Sequence, residues 1–187
     1  MKKLIKPLGV ILPVSLALAL IAAFILLFTP LGFPTIRYGT NGFGCFDFRF
    51  SYTADNVMTI FSHYNGDLVK EWTIFYSIDF VFGFLISVFM FTLPLTFYLK
   101  SDRMYLVYRT ALFSAAMVLV FNTLENIQIL RLMNVTPYFS EGEADIASGL
   151  TTLKWVFAGI WGLSWLVILI INLFIEDEPA KPKRLAK

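Results

Sequence analysis

Residues 72–98 have the sequence WTIFYSIDFVFGFLISVFMFTLPLTFY, in which Asp79 is the one charged residue. This stretch is longer than the roughly 20 apolar residues that cross the hydrocarbon core of a bilayer as a helix. Three further stretches are of similar length and carry at most one charge: residues 9–28, 110–130 and 155–175. The sequence therefore predicts four membrane-spanning helices, at about residues 8–29, 72–99, 106–131 and 151–175, packed as an all-α antiparallel bundle.

The composition agrees with a membrane protein. Of the 187 residues, 58% are hydrophobic and 15% are charged, and the mean hydropathy is +0.73; soluble domains carry about 25% charged residues. A single cysteine, Cys45, excludes an internal disulfide and a thiolate cluster. The one histidine, His63, is expected on a surface helix. No cofactor, metal site or nucleic-acid partner is therefore expected.

The basic residues predict the orientation. With a cytoplasmic N-terminus, ten of the 15 lysines and arginines face the cytoplasm. The five others, Arg37, Arg49, Lys70, Arg131 and Lys154, face the far side. This asymmetry favours cytoplasmic N- and C-termini. The basic start MKKLIKP followed by an apolar run to Phe28 is too long for a signal sequence, and we interpret it as an uncleaved anchor.

An outer segment, residues 35–68, is expected to form a small cap between the first two spans. Residues 46–52 alternate apolar and polar side chains, which predicts a strand paired in a hairpin with residues 36–38. Thr53 is a candidate N-cap for a short amphipathic helix, whose apolar face would be Val57, Ile60, Phe61 and Tyr64. The acidic residues Glu141, Glu143 and Asp145 predict a solvated loop before the last span.

Polar residues within the spans form the candidate site. Asp79 lies six residues before the midpoint of its span, roughly 9 Å toward the outer face, and Glu125 lies roughly 7.5 Å toward the same face. Since consecutive spans should touch, we expect the two carboxylates at nearly one depth. The predicted ligand-binding residues around them are Tyr76, Asp79, Asn122, Glu125, Asn126, Thr151, Lys154 and Trp155.

Two interpretations of these residues stay open. One is structural, with Lys154 neutralising a carboxylate while the asparagines satisfy the remaining lone pairs. The other is functional, because ionisable residues inside a membrane commonly mark sites. A functional pocket would hold the polar end of a lipid or amphiphile from the outer leaflet. In a catalytic version, Asp79 or Glu125 would act as a general acid or base.

The chain also resembles a widespread family of uncharacterised bacterial four-helix integral membrane proteins. The similarity covers about residues 47–155. It rests on Phe-Asp before Ser51-Tyr52-Thr53, an acid in Ser77-Ile78-Asp79-Phe80, Asn122-Thr123-Leu124-Glu125-Asn126, and Ala147-Ser148 through Thr151 to Lys154-Trp155. The family pattern has aspartate where this chain has Asn122. The resemblance implies that Asp79, Glu125, Asn126, Lys154 and Trp155 belong together, and it implies a bacterial inner membrane but no activity. A looser architectural similarity exists to the sterol-isomerase-like four-helix fold.

Three functions follow as hypotheses. The first is a binding or accessory protein whose outer-leaflet pocket holds a lipid or amphiphile. The second is an intramembrane lipid-modifying enzyme, isomerase-like, that uses Asp79 and Glu125. The third is an interaction or immunity-type protein in which the polar residues are purely structural. Membrane lipids are the expected partners, and a protein partner or a second copy of the chain is compatible with the same sequence.

Overall fold

A computed structural model describes residues 2–62, 66–98 and 104–174. Within these ranges the fold is all-helical and contains no strand. Besides a single 3₁₀ turn at Phe46–Phe48, the helices are α1 (Lys2–Phe28), α2 (Phe33–Gly39), α3 (Ala54–Phe61), α4 (Gly66–Tyr98), α5 (Tyr105–Val135) and α6 (Glu141–Phe174).

Within the described ranges, four helical segments are long and apolar enough to cross a membrane, the first of which includes both α1 and α2. The candidate spans are Pro7–Gly39, Leu68–Tyr98, Tyr105–Val135 and Glu141–Ile171, and each predicted span overlaps one of them. The main packing contacts join α1 with α4, α4 with α5, and α5 with α6. Many large apolar side chains, such as Leu20, Phe24 and Leu163, are exposed on the helix surfaces. Such exposure suits helices surrounded by lipid.

A proline within α4 is compensated by a tryptophan of α6. Pro94 has no N–H, so it cannot donate to the carbonyl of Met90 one turn earlier. The Trp161 indole N–H donates to that Met90 oxygen at 2.8 Å. A backbone acceptor freed inside an apolar bundle thus finds a partner on a neighbouring helix.

The predicted hairpin of residues 36–38 and 46–52 is wrong. Residues 36–38 belong to α2, and Phe46–Phe48 is a 3₁₀ turn. The alternation fails because Phe46 and its neighbour Asp47 are both buried. Side chains of α6 bind the backbone that a second strand would have bound. The Trp155 indole N–H donates to the backbone carbonyl oxygen of Asp47 at 3.1 Å, and the Thr152 hydroxyl donates to that of Phe50 at 2.8 Å. The backbone N–H of Tyr52 donates to Ser148 Oγ at 2.9 Å.

The short helix α3 begins where the sequence predicts. Thr53 is its N-cap and forms a reciprocal capping box with Asn56. Val57, Ile60 and Phe61 of its apolar face are buried. They join an aromatic core in which the Phe46 and Trp72 ring centroids lie 5.7 Å apart. This core lies directly beside the buried polar residues described below.

Other expectations differ from the structure or fall outside it. The predicted loop at Glu141, Glu143 and Asp145 is instead the start of α6, where Ser140 and Glu143 cap the helix. Residues 63–65, including His63 and Tyr64 of the predicted surface helix, lie outside the described ranges. Residues 99 and 175, the last residues of the second and fourth predicted spans, also lie outside these ranges.

Candidate functional site

Lys154 joins two carboxylates from different parts of the chain. Its ammonium lies 2.8 Å from Asp47 Oδ1 and 2.5 Å from Glu125 Oε2. Asp47 comes from the 3₁₀ turn, Glu125 from the middle of α5 and Lys154 from α6. All three are buried, and Glu125 has no exposed surface. We call these three residues the ion triad. It ties the segment before α3 to the two helices.

Hydroxyl groups complete the surroundings of the triad. The Thr151 hydroxyl, one turn before Lys154, donates to Glu125 Oε1 at 2.5 Å and lies 3.3 Å from the Tyr52 hydroxyl. Burial is the main reason that the pKa of the Tyr52 hydroxyl is raised, and the Thr151 hydrogen bond opposes the shift. Both oxygens of Glu125 are therefore occupied by groups of α6.

Asp79 has a separate set of partners. Asn122 and Asn126 of α5 both donate to its Oδ2 atom, at 3.3 and 2.7 Å. Since these two asparagines lie four residues apart, they occupy one face of α5 and reach the same point on α4. All three residues are buried. Within the described ranges, no lysine or arginine forms an ion pair with Asp79. We call these three residues the Asp79 group.

A cavity of about 280 Å³ adjoins both groups. Its polar residues are Asp47, Asp79, Asn122 and Lys154. The rest of the wall is apolar and comes from four helices; it includes Leu26, Phe82, Ile86, Met90, Val118 and Ala158. Leu27, Phe48 and Trp155 also line the cavity and are exposed at the molecular surface, so the mouth lies beside them. The cavity thus has one polar end and apolar walls.

The predicted site residues separate into three positions. Asp79, Asn122, Lys154 and Trp155 line the cavity, whereas Glu125, Asn126 and Thr151 lie behind its wall. Tyr76 lies elsewhere, fully buried in the aromatic core with its ring centroid 5.6 Å from that of Trp72. The two carboxylates predicted as a pair therefore face different partners, because Glu125 points to α6 and Asp79 to α5.

Asp47 is the site residue that sequence reasoning did not assign. Its position in an alternating segment predicted an outward polar side chain, yet it is buried and ion-paired. One signal was present, because the Phe-Asp dipeptide was part of the family resemblance. Because Asp47 follows Gly42 and Gly44, the alternation of apolar and polar residues says little about the direction of its side chain. Both glycines have positive φ, at 93° and 73°, and such turns redirect the chain.

The arrangement contains more acid than base. Asp47, Asp79 and Glu125 offer three carboxyls, and Lys154 is the one basic side chain that forms an ion pair with any of them among the described residues. A ligand with a positive charge, or protons, would reduce this excess. No group of three or more histidine, cysteine or acidic residues suited to a metal ion occurs in the described ranges.

Gly83 controls the approach of α4 to α5 beside the Asp79 group. A methyl group there would overlap the Asn122 amide, which must then move from Asp79. We expect Gly83→Ala to be about 1 kcal/mol less stable than the matched variant Gly159→Ala, whose methyl meets open space. Thermal unfolding of both variants in one detergent tests this. Equal midpoints would contradict the close packing at Gly83.

Comparisons with protein-family models, curated proteins and solved structures find no match to this chain. The resemblance described from the sequence therefore stays a prediction, and the functional argument rests on the geometry.

Proposed function

We propose that the protein is an integral membrane binding or accessory protein that holds a lipid or other amphiphile in the cavity between its helices. In this proposal the helices form an antiparallel bundle in a bacterial inner membrane, with both termini in the cytoplasm. The segment from α2 to α3 then forms a cap on the outer side, and the cavity opens toward the outer leaflet.

The observation that carries the proposal is the combination of apolar walls and one polar end. Ligand pockets in proteins are mostly apolar with a few convergent polar groups that fix orientation. Here the apolar wall is suited to a hydrocarbon chain, and Asp79 with Asn122 supplies the polar end. The volume of about 280 Å³ lies at the lower end of typical ligand pockets, about 300–1,000 Å³. A single-chain amphiphile or the end of one lipid fits better than a whole phospholipid.

The positions of the carboxylates favour binding over an isomerase-like activity. A two-carboxylate mechanism needs both groups within reach of the substrate. Asp79 lines the cavity, but Glu125 has both oxygens bound by α6 and is absent from the cavity wall. Asp79 is thus the residue that supports a role toward a ligand.

We expect the wild-type protein, purified in a mild detergent, to carry a defined amphiphile that Asp79→Asn loses while it remains folded. The reason is that the substitution changes the polar end of the cavity but keeps the side-chain volume. Native mass spectrometry identifies the bound mass, and thermal unfolding of each variant reports the fold. Glu125→Gln, behind the wall, should reduce thermal stability more than ligand content.

The controls use one helix and one type of substitution. Ala23 lines the cavity from α1, whereas Ala17 of the same helix is exposed. Ala23→Phe should displace the amphiphile and Ala17→Phe should not. If no specific mass accompanies the wild type, or if both phenylalanine variants retain it equally, the proposed function is wrong. An interaction protein with a purely structural polar cluster then becomes the better hypothesis.

A further inference from the structure

Asp79 is a buried residue that lines the cavity, and one of its two carboxylate oxygens accepts no hydrogen bond among the described residues. Both asparagine amides donate to Oδ2, and no hydrogen bond to Oδ1 occurs within the described residues. Only 6% of the Asp79 surface is exposed, and Asp79 is among the residues that line the cavity. A donor in the cavity would stabilise this oxygen, because a charge with little access to water is costly unless it is paired.

The neighbouring ammonium is already committed. Lys154 lies 2.8 Å from Asp47 and 2.5 Å from Glu125, and both of these acidic residues are buried. Moving the ammonium to Asp79 would break those two contacts. Asp47 also lines the cavity, and its Oδ2 atom is buried without a hydrogen-bond partner. Two acidic residues of the cavity lining thus each have one carboxylate oxygen without a hydrogen-bond donor among the described residues.

Building on the proposed function, we propose that the cavity selects an amphiphile with a cationic amine headgroup, which forms its ion pair with Asp79. An ammonium at this end would donate to Asp79 Oδ1 and reduce the local excess of negative charge. Aromatic rings favour the same charge, since Phe48, Phe75, Phe82 and Trp155 line the cavity and ring faces attract cations. An anionic headgroup would meet Asp47 and Asp79 with like charge. A neutral alcohol would leave the negative charge uncompensated.

A matched series of short amphiphiles tests the headgroup. Octylamine, octanol and octanoate have the same chain length and differ in headgroup charge at neutral pH. We expect radiolabelled octylamine to bind wild-type protein in phosphatidylcholine nanodiscs, with empty nanodiscs subtracted for partition into lipid. Unlabelled octylamine should displace it at about tenfold lower concentration than octanol, and octanoate should compete more weakly still. Asp79→Asn should remove this preference, and Asp79→Glu should retain part of it.

The outcomes separate this inference from the proposed function. Octanol that competes as well as octylamine, with binding that Ala23→Phe abolishes, would overturn the cationic headgroup and leave the amphiphile site intact. Binding that Ala23→Phe and Ala17→Phe affect equally would overturn both. Because the wild-type series alone measures headgroup preference, the test survives a failure of Asp79→Asn to fold.

The same assay identifies the source of the amine. Lysophosphatidylethanolamine and lysophosphatidylglycerol differ in headgroup, and only the first carries an ammonium. Displacement of octylamine by the first and not by the second indicates a lipid headgroup as the source. Displacement by simple alkylamines alone indicates a free amine. Either result supports the ion pair with Asp79, whereas stronger displacement by lysophosphatidylglycerol contradicts it.

Discussion

Lys154→Met is expected to lower the free energy of unfolding by about 3–5 kcal/mol, the largest effect of any single substitution proposed for this chain. The methionine retains most of the side-chain volume but removes the ammonium. Asp47 and Glu125, bound at 2.8 and 2.5 Å, then remain as two buried carboxylates without a cation. Breaking a buried ion pair from one side is costly because the remaining charge stays away from water. Thermal unfolding in detergent, followed by circular dichroism, measures the loss.

Two further variants make the test specific to the ion triad. Lys70→Met is the matched control, since Lys70 is an exposed lysine of α4, and it should change the midpoint little. The triple variant Lys154→Met with Glu125→Gln and Asp47→Asn should regain part of the lost stability, because no uncompensated carboxylate remains in the triad. A Lys154→Met midpoint equal to that of Lys70→Met would show that the triad does not stabilise the fold.

These contacts divide the candidate site by role. The ion triad links the 3₁₀ turn, α5 and α6, so its substitution should affect stability first. Asp79 and Asn122 of the Asp79 group line the cavity, so their substitution should affect ligand content first. We therefore expect the structural interpretation to apply mainly to the ion triad and the functional interpretation to Asp79 and Asn122. Stability and binding measured on the same variants distinguish the two roles.

The helical fold could be predicted from the sequence because long apolar runs have few stable alternatives in a bilayer. Residues 72–98 and the other three stretches needed no tertiary information. The segment around Phe46 did depend on tertiary contacts. Its period of two was local, but its backbone partners, Trp155, Thr152 and Ser148, lie about a hundred residues away on α6. Nothing in residues 36–52 alone indicates that α6 side chains replace a second strand.

The candidate site was predictable where helical spacing determines which side chains share a face. Asn122 and Asn126 lie four residues apart, and the structure brings both to Asp79. The distinction between Asp79 and Glu125 depended on helix rotation, which depth along the span does not specify. Tyr76 shares the span of Asp79 but turns to the aromatic core beside Trp72. The position of Asp47 depends on the path of an irregular segment, and no periodicity in the sequence predicts that path.

Cys45 provides a second test with a large expected effect, because it lies directly before the 3₁₀ turn that presents Asp47. Its side chain is buried, with 1% of its surface exposed. Burial, and then the charge of Asp47, raises the pKa of the Cys45 thiol well above its usual range. Since the thiolate is the reactive form, a water-soluble maleimide should label the wild type very slowly at neutral pH. Labelling of the buried thiol should then increase as the pH rises toward this elevated pKa.

Asp47→Ala is expected to increase the labelling rate of Cys45 at neutral pH. Each decrease of 1.4 kcal/mol in the free energy of local opening should raise the rate about tenfold. Mass spectrometry of the intact protein over time measures the rate. Asp55→Ala, an exposed aspartate on α3, is the matched control and should label at the wild-type rate. Equal rates for the two variants would contradict a role for Asp47 in holding the segment closed.

Lys154→Met separates opening of the segment from a change in thiol ionisation. Asp47→Ala removes a charge that raises the Cys45 pKa, so faster labelling there has two contributions. Lys154→Met keeps Asp47 and removes its counter-charge, which would make the thiolate less favourable still. Faster labelling in Lys154→Met can therefore come only from greater exposure of Cys45. An unchanged rate in that variant, together with a faster rate in Asp47→Ala, would mean that ionisation alone was altered and that the triad does not hold this segment against α6.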